Sequence, residues 1–353
     1  MAHDAFLPFL AADAPAVIAE AGMTMEGSAG RARDLVDAAA DAGCWGFKVQ
    51  LLKPERIAAA GAARYWSHGA AISQREVFAR ARPLPYEAWA EIAGYCGLRG
   101  VEFLATPFDL QAVDVLSEIG VRFVKIASGD LTYRALIERV AAHELPMILS
   151  TGAATHTEIR RTLSWLPNGY PVVLLACTLA YPTDLDHAML GRIEGIRRSG
   201  LIPQDWPVGY SDHTRSFVET PLAAAALGAR LLEKHFTLGG DPDVVPDHDL
   251  ALDPARMAEY VRMARLGWQM RGGTVLAPIA AEIPAWAGAR RGVYAARTIR
   301  AGQTISPDDL DYLRPADGAD YEPWEDWQVI GATARVEIPE GAPLRRPEVE
   351  PPF

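Results

Sequence analysis

The chain has 353 residues, 50% of them hydrophobic and 22% charged, which is the composition of a globular protein and excludes a disordered or fibrous one. Its 34 Lys and Arg stand against 45 Asp and Glu, and the net charge of −11 excludes a nucleic-acid binder that depends on a broad basic surface. No run approaches the roughly 18 apolar residues of a membrane helix, no basic-then-apolar leader opens the chain, and Cys44, Cys96 and Cys177 are too far apart for a CxxC motif, so a cytoplasmic protein without a disulfide framework is expected.

In chain order, eight short apolar, β-branched runs alternate with helix-like stretches: Val17–Ala19, Phe47–Val49, Phe103–Ala105, Phe123–Ile126, Met147–Leu149, Val172–Leu175, Val208–Tyr210 and Leu231–Leu232. Eight βα units predict an α/β fold, a closed (β/α)8 TIM barrel. Each run ends in side chains capable of chemistry. They are Glu20, Lys48 with Gln50, Thr106, Lys125 with Ser128, Ser150 with Thr151, Thr178 with Tyr181, Ser211 to His213, and Glu233 to His235. Taken singly, such residues are ordinary helix caps and loop residues; eight in succession match the ring of side chains at the C-terminal strand ends, where barrels of this kind carry their active sites.

Residues 51–85 exceed a short connection and are expected to arch over the barrel mouth as a lid. The barrel is predicted over 1–273. An Ala- and Pro-rich linker over 274–286 then leads to a small, mostly β domain over 287–353, whose core is small enough that docking on the barrel or on a second subunit is expected.

The motifs Glu20-Ala-Gly, Lys48-Val-Gln, Thr106-Pro-Phe-Asp109, Lys125-Ile-Ala-Ser-Gly129, Leu149-Ser-Thr-Gly152, Tyr181-Pro182, Gly209-Tyr-Ser-Asp-His213-Thr, Glu233-Lys-His-Phe236 and Pro246-Asp-His248 occur in this order. As an ordered set the chain closely resembles the sialic acid synthase family, the bacterial N-acetylneuraminate synthases and their relatives for other nonulosonic acids. The tail, with Arg291-Gly-Val-Tyr-Ala-Ala and Leu313-Arg314-Pro315, resembles that family's C-terminal antifreeze-like (SAF) domain.

The resemblance implies condensation of phosphoenolpyruvate with the open-chain aldehyde of an N-acylated sugar and water, giving a nonulosonic 2-keto acid and phosphate. It places phosphoenolpyruvate on Lys48, Thr106, Lys125, Ser128, Ser150 and Ser211, and the sugar on Gln50, Tyr181, Asp247 and Arg314. It assigns a divalent ion, Mn²⁺ or Mg²⁺, to His213 and His235 with Glu233 in support, and Glu20, from the first strand, is the candidate acid/base or sugar-hydroxyl partner. It also implies a homodimer in which the SAF domain of one subunit covers the other's barrel, Arg314 reaching the partner's sugar site. Two other readings of the same residues are a barrel aldolase or lyase with Lys48 or Lys125 as Schiff-base nucleophile, and a non-catalytic carbohydrate-binding protein.

One loop departs from the family. Where an Asn-His pair is usual, Thr24 and Met25 stand here, and the single asparagine, Asn168, falls in a turn at the far end of the barrel. A less polar pocket is expected, suited to a deoxygenated or differently acylated sugar. In the alternative, Thr24 and Met25 point away, and Tyr65 or His68 of the insertion reads the sugar.

Overall fold

The computed structural model describes residues 6, 9, 12–66, 72–314 and 319–350. Eight parallel strands close into a barrel in sequential order: β1 (Ala16–Gly22), β2 (Gly46–Leu51), β3 (Glu102–Pro107), β4 (Val124–Ile126), β5 (Met147–Ser150), β6 (Val172–Cys177), β7 (Val208–Asp212) and β8 (Leu231–His235). Helices occupy the connections, and β1 pairs with both β2 and β8 to complete the ring. The (β/α)8 expectation is met. Several strands run further than their apolar runs: β7 and β8 continue through Ser211–Asp212 and Glu233–His235, because inward-facing positions near the mouth are polar and break the apolar signal without breaking the strand.

The period of two along each strand divides the barrel. Outward residues such as Val17, Ala19, Phe47, Val49 and Leu232 join the large core under the helices. Inward residues Ile18, Leu104, Ile148 and Leu231 form a separate apolar layer with Phe6, Phe9 and Phe123, which closes the barrel floor. Phe9 meets Trp45 and Phe123 at ring distances of 5.1 and 5.2 Å, and Phe6 meets Trp206 at 5.0 Å. That floor is tight: a Cβ on Gly209 would lie 2.3 Å from the Leu231 carbonyl and 2.4 Å from Leu175. Two residues up each strand the inward side chains become Glu20, Thr106, Ser150, Ser211 and Glu233.

The chain divides into two compact units, Met1–Gly272 and Gly273–Phe353. The second carries a helix over Ile283–Ala289, which overlaps the end of the expected linker, and continues with two short antiparallel pairs, β9 (Gly292–Ala295) with β10 (Leu310–Leu313) and β11 (Thr333–Ala334) with β12 (Val349–Glu350). Val293, Ile299, Ile305, Val329, Ile338 and Leu344 form its own core. Among the described residues no helix is long and apolar enough to cross a membrane.

Candidate active site

Above the polar layer lies a cavity of about 320 Å³ lined by residues from every strand end. Strand register brings its chemistry together. Glu20 on β1 is the in-register neighbour of Lys48 on one side and of His235 on the other, and the Lys48 ammonium meets the Glu20 carboxylate at 2.6 Å. Lys48 also donates to the Thr106 hydroxyl at 3.1 Å and lies 3.7 Å from Glu233. Lys125 stands 3.6 Å from Glu233 on the other side. Both lysines are 3% exposed, so neither is a surface lysine with a solvated head.

Charge and burial compete here, and the balance differs from group to group. Burial raises the Glu20 carboxyl above the usual carboxylate range, and Lys48 only partly offsets this. Burial acts on Glu233 in the same sense, but Lys125 and Lys48 outweigh it and the net shift is downward. Burial lowers Lys125, whereas Lys48 ends raised because Glu20 and Glu233 outweigh its desolvation. One carboxyl is thus disposed to hold a proton and its neighbour to lose it.

Hydroxyl groups complete this wall. Ser211 donates to Glu233 at 3.0 Å, Ser128 accepts from the Gly152 amide at 2.9 Å, and the buried Ser150 hydroxyl has no hydrogen-bond partner. Thr151 and Thr178, which end their strands in the same way, do not join them: their hydroxyls are spent on the carbonyls of Leu175 and His187.

The histidines stand next along the same strands, His213 two residues past Ser211 and His235 two residues past Glu233. His213 and His235 are 5.6 Å apart, ring to ring, and Tyr181 stacks on His213 at 4.1 Å. The His213 Nδ1 meets the Thr178 carbonyl at 2.8 Å; since a carbonyl only accepts, Nδ1 carries the proton and Nε2 keeps a lone pair. Burial, then the charges of His213 and Lys48, hold His235 neutral, well below its usual range. Its buried Nδ1 has no hydrogen bond, and 3.6 Å away the buried Asp247 Oδ2 has none either. Asp247 reaches this point because Gly22, at φ 55°, has no Cβ; one would lie 2.6 Å from Oδ2. Gln50 donates to Glu20 at 3.1 Å.

This donor set fits a divalent ion. The neutral His235 imidazole, the His213 ring beside it and an unpartnered carboxylate oxygen are nitrogen and oxygen donors, which suit a divalent ion better than a closed thiolate site does. The cavity lining also carries four carboxyls, Glu20, Asp130, Glu233 and Asp247, against two lysines, Lys48 and Lys125, and a dication would offset part of that excess. Among the described residues, the three side chains whose ligand atoms lie within 4.8 Å of one another are Asp184, Asp186 and His187, which are exposed and outside the cavity lining; the donor atoms of His213, His235 and Asp247 do not come that close together.

The sequence-derived site residues of the barrel, Glu20, Lys48, Gln50, Thr106, Lys125, Ser128, Ser150, Tyr181, Ser211, His213, Glu233, His235 and Asp247, all line this cavity. Arg314, on the second unit, is exposed just after β10.

The expectation that Thr24 and Met25 make the pocket less polar is corrected by their placement. Thr24 donates to the Phe236 carbonyl at 3.1 Å, and Met25 is buried in the main core. Neither lines the cavity; Met23 does, with Ile57, Tyr65, Trp66, Val77 and Phe78 of the insertion. His68 lies outside the described residues. Sequence reading also missed Asp130, two residues past Ser128 and signalled by that spacing, and Trp66, which nothing in the local pattern marks.

A family model described as the NeuB family matches residues 35–275, and a SAF domain model matches residues 290–350. The chain belongs to the NeuB family. It is 30% identical over 344 residues to the N,N'-diacetyllegionaminic acid synthase of Legionella pneumophila, covering 95% of this chain and 94% of that one. Among solved structures it resembles a putative spore coat polysaccharide biosynthesis protein E from Chromobacterium violaceum (TM-score 0.79, 25% identity, 96% of this chain and 100% of that one). It also resembles an N-acetylneuraminic acid synthetase from Leptospira borgpetersenii (TM-score 0.68, 29% identity, 78% and 91%). As a NeuB-family member the protein is a carbon–carbon bond-forming transferase of the phosphoenolpyruvate-dependent class.

Proposed function

We propose that the protein condenses phosphoenolpyruvate with the open-chain aldehyde of an N-acylated, partly deoxygenated hexose to give a nonulosonic acid, in the cytoplasm. The observation that carries this reading is the division of one cavity into two chemistries. Lys48, Lys125 and the hydroxyls of Thr106, Ser128, Ser150 and Ser211 make an anion-binding wall, while His213, His235 and Asp247 make a cation-binding one.

In the proposed reaction the lysines and hydroxyls hold the carboxylate and phosphate of phosphoenolpyruvate. Its C3 forms a bond to the aldehyde carbon, whose oxygen takes up a proton. Water adds at C2, the bond from C2 to the phosphate oxygen breaks, and phosphate leaves as C2 becomes a ketone. Glu20, raised by burial and held by Lys48 and Gln50, is the group that moves a proton at the reacting oxygens. His213 and His235, with Asp247 beside them, would hold Mn²⁺ or Mg²⁺, which when bound polarises the aldehyde as a Lewis acid. Glu233, ion-paired to both lysines, keeps their ammonium groups aimed at the anion.

The acceptor preference rests on the insertion, Tyr65 included, as in the alternative sequence reading, and not on Thr24 and Met25. Met23, Ile57, Tyr65, Trp66, Val77, Phe78 and Phe108 give the acceptor side an apolar wall, which favours methyl and acyl substituents over free hydroxyls. The 30% identity to a diacetyllegionaminic acid synthase supports the same class, that of 2,4-diacetamido-trideoxyhexoses. We further propose a homodimer in which Arg314 of one subunit meets the sugar in the other's barrel.

Phosphate release from phosphoenolpyruvate, measured with a panel of hexosamines and trideoxy sugars with and without Mn²⁺, tests the reading. A kcat/KM for N-acetylmannosamine equal to or above that for the trideoxy sugars overturns the acceptor assignment. Borohydride trapping of a pyruvate adduct on Lys48 or Lys125 would replace the synthase with a Schiff-base aldolase.

A further inference from the structure

Trp66 is a buried donor with nothing to donate to. It lines the cavity, yet its indole Nε1 is shielded from solvent and has no hydrogen-bond partner among the described residues. An indole N–H is donor-only, and leaving one buried and unpaired is unfavourable unless a ligand acceptor completes it.

Its surroundings restrict what that acceptor is. An aromatic row leads outward from the histidine wall, from His213 to Tyr181 at 4.1 Å, Tyr181 to Tyr65 at 5.7 Å, and Tyr65 to Trp66 at 4.9 Å. Beyond it, Trp66 meets Phe78 at 6.2 Å, and Phe78 packs in an apolar cluster with Met23, Ile57 and Phe108. A single N–H next to a patch of methyl-sized apolar surface matches an acetamido group: the carbonyl accepts from Nε1 and the methyl enters the cluster. With the aldehyde carbon at the histidines, Trp66 stands three rings out. That places it at the distal part of a six-carbon chain and not at the carbon next to the aldehyde.

We infer that Trp66 is a specificity-determining residue that donates from its indole N–H to the carbonyl of an acylamino group at C4 of the acceptor. This inference rests on the acceptor class proposed above and adds which substituent is read and by which atom. It requires no covalent step.

The test compares wild type with Trp66→Phe, which keeps an aromatic ring and removes the N–H. Two acceptors are used: a 2,4-diacetamido-2,4,6-trideoxyhexose, and N-acetylmannosamine, which has an acyl group at C2 only. The variant is expected to lose about tenfold in kcat/KM for the diacetamido sugar, carried by KM, and less than threefold for N-acetylmannosamine, with KM for phosphoenolpyruvate unchanged. A third acceptor, with the C4 acetamide replaced by a thioacetamide of the same shape and weaker accepting power, closes a cycle: wild type should discriminate against it and Trp66→Phe should not. Equal losses on both natural-type acceptors, or thioacetamide discrimination that persists in the variant, overturn the inference while leaving the synthase reading intact. Failure of wild type to use any acylated sugar removes the synthase reading and this inference with it. If Trp66→Phe does not fold, the wild-type ratio of acetamide to thioacetamide decides alone, a ratio near one counting against the assignment.

Discussion

His235 Nδ1 and Asp247 Oδ2 stand 3.6 Å apart, both buried and neither hydrogen-bonded. Two unpaired polar atoms at this depth make sense as ligands or close supports of an ion shared with His213. His213→Ala and His235→Ala are each expected to abolish turnover while preserving the circular dichroism spectrum, and Asp247→Asn to weaken Mn²⁺ binding at least tenfold. Electron paramagnetic resonance titration of Mn²⁺ checks this, and unchanged affinity in all three variants would remove the ion from this wall.

Lys125 is buried beside Glu233 at 3.6 Å and, among the described residues, hydrogen-bonds only the Ile126 carbonyl, at 3.3 Å, which leaves N–H donors to meet an anion. Lys125→Met is expected to raise KM for phosphoenolpyruvate at least 30-fold, with a small change in KM for the aldehyde. An equal rise in both constants in steady-state kinetics would mean that the lysine organises the whole pocket.

Asp130 gives a pH signature. Burial pushes its carboxyl up to about 6, with Lys125 opposing. The folded state therefore binds this proton more tightly than the unfolded chain does, so the contribution to stability is full below about pH 4 and is lost as pH rises through about 6. Asp130→Asn is expected to raise stability at pH 7.5 by about 2 kcal/mol and to leave it unchanged near pH 4. Urea unfolding at the two pH values decides; a gain of the same size at both would show that ionisation is not the cause.

Behind the site, Asp212 and Lys234 are in-register neighbours on β7 and β8, both 0% exposed, with charges 3.7 Å apart. They face outward between the strands and their covering helices. Asp212 accepts from Thr220 at 2.6 Å and Tyr260 at 3.2 Å, and Lys234 donates to the Thr214 carbonyl. Removing one partner strands the other's charge, so Lys234→Met is expected to destabilise by about 3–5 kcal/mol, and the double change Asp212→Leu with Lys234→Met by less. Chemical denaturation of the three variants measures the difference, and additive losses would contradict a true pair.

The barrel was legible because its signals repeat: apolar runs at regular intervals, each followed by polar residues that the closed ring brings together. The convergence of Lys48, Lys125 and Ser211 on the cavity was legible for the same reason, since they occupy inward positions fixed by the strand period. What could not be read was side-chain direction where the backbone leaves the strand. Gly22 at φ 55° and Glu26 at φ 50° turn the first loop so that Met23 faces the cavity while Thr24 and Met25 face the core, and no period applies across such a turn. Thr178 looked like a site hydroxyl, but it contributes a carbonyl that sets the His213 tautomer. Trp66 lies in a stretch without periodicity, where burial depends on how the insertion folds back on itself, as in the contact with Phe78.

The aromatic floor of Phe6, Phe9 and Phe123 leaves the reactants one way in. The anion wall lies deep, with both lysines 3% exposed, whereas Tyr65 on the acceptor side is 56% exposed. A sugar bound as proposed above would obstruct the path to the lysines, so ordered addition is expected, phosphoenolpyruvate first and aldehyde second. Excess aldehyde should then act as a competitive inhibitor against phosphoenolpyruvate, and the condensation product must leave by the same mouth before the next turnover starts.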